Sequence, residues 1–135
     1  MDSFKRQVIA KYLQNIAAME QLTKIQDDLA TLQKHHALRR QLRRATVAAE
    51  IVGIKIGNAA LISAPIELLA EVGLRLKQAS PYRPTLVAAF SNGYLHYGPP
   101  AAYYGKGGYE VTECLLAPEW RQRYEQKANQ ILRRL

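Results

Sequence analysis

The first 52 residues contain neither glycine nor proline, and all eight glycines and all six prolines fall at Gly53 or later. A stretch without either breaker can continue as helix uninterrupted, so the asymmetry makes the first third helical and leaves turns and strands to the remainder. Leu22, Ile25, Leu29 and Leu32 recur at spacings of three and four, which places them in one stripe on a helix. Val8, Tyr12, Ile16 and Met19 form an earlier stripe. The pattern predicts one long helix or two, the latter as an antiparallel pair, ending around Arg44.

The end of this segment is basic: Lys34, Arg39, Arg40, Arg43 and Arg44 lie close to His35 and His36. With a formal net charge of +8, a polyanion partner has to be weighed. No aromatic ring interleaves with these cations, so stacking on bases has nothing to work with. Cations also suit a helix C-terminus, and a solvated helix end is the reading favoured over a nucleic-acid or anionic-membrane patch.

From Thr46 the pattern turns to strand. Glu50 to Ile56 alternates, with Val52, Ile54 and Ile56 on one face. Gly57-Asn58 separates this run from Ala59 to Ser63, a two-residue connection typical of a hairpin. Pro65 closes the second strand and suits the first turn of a helix, with Ile66, Leu69, Gly73 and Leu76 along one face. Thr85 to Phe90 reads as a strand covered on both sides. Tyr109 to Leu116 reads as a last strand, and Pro118 to Leu135 as a closing helix with a stripe of Trp120, Tyr124, the Lys127 stem, Ile131 and Leu135. The expected class is α+β: an N-terminal helix or helix pair over residues 1–45, then over 46–135 a mixed β-sheet piece with a crossover helix and a C-terminal helix.

At 135 residues the chain is one domain's worth of sequence. Hydrophobic residues at 48% and charged residues at 22% are globular composition, which excludes a disordered tail. A single cysteine, Cys114, rules out an internal disulfide, and its apolar surroundings read as core rather than reactive. No apolar run of signal-peptide length follows the N-terminus, and no stretch approaches the ~20 apolar residues of a membrane span. These features leave the compartment open.

Two stretches carry chemistry-bearing residues past strand ends. Ile56 to Glu67 delivers a carboxylate, and Ser91-Asn92-Gly93-Tyr94-Leu95-His96-Tyr97 delivers phenols. Side chains at strand ends beside helix starts commonly converge in open α/β sheets. On spacing alone the favoured readings are that Glu67 complements a helix dipole and that Tyr97 is a half-buried tyrosine bonded outward. Ser63 and Ser91 lack a base in a motif arrangement, and Gly105-Lys106-Gly107-Gly108 lacks P-loop spacing.

The ordered set Pro65-Ile66-Glu67, Gly73-Leu74-Arg75-Leu76, Asn92-Gly93-Tyr94-Leu95-His96-Tyr97 and Gly107-Gly108-Tyr109-Glu110 resembles the C-terminal part of the catalytic domain of neutral and alkaline ceramidases and their uncharacterised bacterial relatives. Residues 46–116 are the specific part of the resemblance. It implies a zinc-dependent amidase that hydrolyses N-acyl bonds in lipids such as ceramide, with zinc held by two histidines, a glutamate and a tyrosine. By resemblance the glutamate is Glu67 and the tyrosine Tyr97. The histidines and a serine implicated in amide cleavage lie upstream in that family, and nothing here matches them.

A catalytic zinc wants three or more protein ligands, so the resemblance implies a fragment or truncated form, inactive alone. Its partner would be the rest of the catalytic domain or another chain. Local histidines do not complete the set, since His96 and Tyr97 alternate faces on a strand and His35 and His36 do not share a helical face. The alternative is a non-catalytic binding module that docks an acidic partner or nucleic acid through its basic helix.

Overall fold

The computed structural model describes residues 2–42 and 46–135. The chain divides into two compact units, Met1–Arg43 and Arg44–Leu135. The first is a single helix, α1 (Ser3–Gln41), rather than a pair. Asp2 caps it, its carboxylate accepting from the Phe4 amide at 3.4 Å, and Arg39 and Arg40 occupy the last turn. Without a glycine or proline between the caps, nothing in the sequence turns the chain back. The helix ends at Gln41, and the expected terminus at Arg44, with Arg43, lies outside the described residues.

The second unit begins its regular structure with β1 (Gly53–Ile56) and β2 (Ala59–Ser63), an antiparallel hairpin turned at Gly57-Asn58. Gly57 has φ +59°, a conformation that costs glycine nothing. Then follow β3 (Glu67–Leu68), α2 (Ala70–Ala79), β4 (Thr85–Ala88), β5 (Tyr97–Gly98), α3 (Ala101–Tyr104), α4 (Tyr109–Thr112) and α5 (Trp120–Leu132). One sheet has the order β1-β2-β4, with β2 and β4 parallel and α2 within their crossover. A second, two-stranded ladder pairs β3 with β5 in parallel. The chain is α+β.

The core of this unit gathers Ile62, Ile66, Val72, Leu76, Trp120 and Leu132 between the sheet, α2 and α5. The buried stripe of α5 is Trp120, Tyr124, Ala128 and Leu132, one step round from the expected line through Lys127, while Ile131 and Leu135 pack at its margin. Buried hydrogen bonds fix the aromatic members. Trp120 donates from Nε1 to the Pro99 carbonyl at 2.8 Å, and Tyr124 donates to the Ser63 carbonyl at 3.1 Å.

Three expectations are corrected. Pro65 does not open a helix: the carbonyls of Ala64, Pro65 and Ile66 accept from Ser91, Leu95 and Phe90, and Glu67 donates to His96. Those bonds keep the backbone extended through Glu67, so helix begins only at Ala70 and buries Val72 and Leu76. Tyr109 to Leu116 forms α4 and a single bridge at Cys114, because the Gly108 carbonyl captures the amides of Val111 and Thr112. The strand from Thr85 is not covered on both faces, since Leu86 is 52% exposed while Thr85 beside it is buried.

Candidate functional site

Glu67 and Tyr97 stand directly opposite each other in the parallel register of β3 and β5, with Leu68 opposite Gly98. Directly paired residues of neighbouring strands project to the same face. The Glu67 carboxylate beside it, with some burial, pushes the Tyr97 phenol up to about 12, because both disfavour the phenolate. Two residues 30 positions apart are thus brought side by side.

The reach of chain before Tyr97 is held in unusual geometry. Phe90, Asn92 and His96 have φ of +55°, +63° and +59°, a left-handed region that Asn and His visit several-fold more readily than other non-glycine residues. Such conformations cost roughly 1–3 kcal/mol each and persist where surrounding structure over-determines them. Here the surrounding structure is the set of backbone bonds from Phe90, Ser91 and Leu95 to residues 64–66, the shortest 2.7 Å.

Behind the pair, the Trp120 indole lies against Gly98, where an added Cβ would meet ring carbons at 2.6 and 2.7 Å. Trp120 therefore fixes the backbone one residue after Tyr97. Around the pair lie aromatic rings: Tyr109 edge-on to Tyr97 at 5.4 Å, and Tyr94 stacked with Phe90 at 5.7 Å and tilted against His96 at 4.9 Å. Phe90, Tyr94 and Tyr109 are exposed.

His96 places its Nδ1 3.6 Å from Glu113, and its backbone bridges Cys114. The Cys114 thiol lies 3.2 Å from the Tyr104 hydroxyl, itself bonded to the Leu116 carbonyl. His35, His36 and the basic residues Lys34, Arg39 and Arg40 all belong to α1 in the other unit.

The chemistry of the donor set fits a hard or borderline cation in part. A carboxylate and a phenol side by side on adjacent strands are two oxygen donors that a cation could bridge. Among the described residues no group of three or more His, Cys, Asp or Glu gathers to hold a metal.

The supports of the pair were not legible as such. Gly98-Pro99-Pro100 reads in sequence only as a stop, and Trp120 only as a helix-stripe residue. The sole signal was the glycine beside a candidate residue.

Neither a known protein-family pattern nor a curated protein matches the sequence. Among solved structures, the neutral ceramidase from Pseudomonas aeruginosa is similar, with a TM-score of 0.55 and 24% identity over 61% of this chain. A ceramidase complexed with C2 is similar with the same TM-score and identity over 62% of this chain. The chain spans 14% of the first of these proteins and 15% of the second. The likeness shows a ceramidase-like fold.

Proposed function

We propose that the second unit is the part of a zinc-dependent amidase of the neutral ceramidase type that carries the glutamate and tyrosine ligands, Glu67 and Tyr97. The observation that carries this reading is the adjacency of the two side chains across the β3–β5 ladder, with the carboxylate raising the tyrosine's proton affinity. The ceramidase-like fold supports it. When bound, zinc supplies a Lewis acid for the amide carbonyl and an acidified water. Glu67 would bring one negative charge to the centre, and Tyr97 a phenolate once its proton leaves. The remaining ligands and the serine would come from a polypeptide outside this sequence, so the chain alone hydrolyses nothing. The substrate class is N-acyl lipids such as ceramide, cleaved to a free amine and a carboxylate.

The test mixes this chain with a polypeptide bearing the two upstream histidines and the serine, and measures bound zinc and amide hydrolysis together. Zinc retention and hydrolysis that appear only in the mixture, and fall with Glu67→Gln and with Tyr97→Phe, support the reading. Zinc retention indifferent to both substitutions would sink it.

A further inference from the structure

We propose that α1 is a coiled-coil strand that pairs with α1 of a second copy of this chain, parallel and in register. The helix has 39 residues and a length of about 58 Å at the usual rise, and none of its residues is buried within the chain. Helices draw most of their stability from packing an apolar face. One this long whose apolar stripe is exposed, with only Asp28, Thr31 and His35 partly covered, is short of a partner. Twelve large apolar side chains, from Phe4 to Leu38, stand exposed on it.

Their spacing indicates the kind of partner. Leu22, Ile25, Leu29 and Leu32 follow a three-four-three rhythm, the a-d-a-d seam of a heptad repeat. Continued towards the N-terminus, the same frame places Ala18, Asn15, Lys11, Val8 and Phe4 on the seam. Towards the C-terminus it reaches His36 and Arg39, so the apolar seam ends at Leu32. Asn15 falls at an a position, where a lone asparagine bonds its own counterpart in a parallel pair and fixes register. Lys11 can lay its alkyl stem along the seam and carry its ammonium to water.

The charges sort in the same frame. Glu20, Lys24, Asp27 and Lys34 fall on the outer positions. The flanks of the seam between residues 19 and 33 are Met19, Gln21, Gln26, Asp28 and Gln33, so two identical helices meet little like-charge repulsion there.

The area is on the scale of a small interface. Phe4, Val8, Leu22, Ile25, Leu29 and Leu32 are 51% to 68% exposed. Covering them removes on the order of 600 Å² per copy before the flanks are counted, against ~800 Å² per partner in a standard interface. Ile9, Leu13 and Ile16 lie off the seam and stay exposed in such a pair, which makes Leu13 an internal control.

Sedimentation of the full chain across micromolar concentrations tests the proposal. The expected species is a dimer, which Ile25→Asp combined with Leu29→Asp weakens by at least about a hundredfold, whereas Leu13→Gln leaves it unchanged. Trp120 emission verifies that the second unit of each variant is folded, and far-UV circular dichroism reports α1 itself. In a Cys114→Ser background, Asn15→Cys should cross-link two copies under mild oxidation. A chain that stays monomeric overturns the proposal, and so does a dimer that survives the aspartates or is lost equally with Leu13→Gln. A monomer that floats with anionic vesicles also overturns it, and assigns the face to lipid instead.

Discussion

Tyr97 holds its proton because the Glu67 carboxylate stands beside it and opposes a second negative charge. Replacing the carboxylate with an amide removes the charge that opposes the phenolate. Glu67→Gln should therefore lower the Tyr97 midpoint from about 12 towards the ordinary value near 10, read as phenolate absorbance against a Tyr97→Phe blank. A midpoint unmoved by the substitution would mean that the carboxylate is not the cause. Gly98 lies one residue away, and its constraint is steric. Gly98→Ala forces a Cβ into the Trp120 ring, and an overpacked contact of this kind costs about 1–3 kcal/mol, measurable as a lower urea midpoint. The residues of the pair could be singled out in sequence because Pro65-Ile66-Glu67 and Asn92 to Tyr97 are local motifs. Their adjacency could not, because it follows from a two-residue parallel ladder with too little periodicity to announce itself. The Trp120 to Pro99 bond, spanning 21 positions, left no local trace.

At the scale of elements, the apolar stripes were legible and the ends were not. The hairpin at Gly57-Asn58 and the closing helix follow from turn chemistry and a 3.6-residue period, both local. The start of α2 was misread because Pro65 suits a first turn equally well, and the choice is made by carbonyls that the 90–96 loop claims. What joins α2 to α5 is likewise core rather than charge. Arg75 pairs with Glu125 at 3.3 Å, and Arg121 with Glu71 at 3.3 Å, but Arg75 and Glu71 are about half exposed. Exposed pairs contribute little against water and salt. Leu76, fully buried one position after Arg75, packs in the core. Leu76→Ala is expected to cost about 2–5 kcal/mol, whereas Arg75→Ala should cost less than about 1 kcal/mol and fade with added salt. Urea titrations of the two variants at low and high salt separate these contributions.

Over the whole of the second unit, three tyrosines titrate above their ordinary range, each for its own reason. Tyr97 is held up first by the Glu67 carboxylate beside it, and Tyr124 by burial. Tyr104 is held up first by burial and then by its bond to Cys114. In the unfolded chain all three return to a value near 10, so above that pH the folded state binds more protons than the unfolded one. A group whose folded value is raised contributes stability that is complete below the unfolded value and is lost as pH climbs towards the folded one. Stability should accordingly be flat with respect to these tyrosines below about pH 10 and fall steadily above it. The buried Tyr124 is the decisive member, because a phenolate there would stand in the core against the Ser63 carbonyl. Tyr124→Phe should cost about 1 kcal/mol at neutral pH for the lost hydrogen bond, yet decline less steeply between about pH 10 and 12. The urea midpoint followed by Trp120 emission reports both effects. Parallel alkaline declines in the variant and the parent would mean that Tyr124 ionises without opening the core.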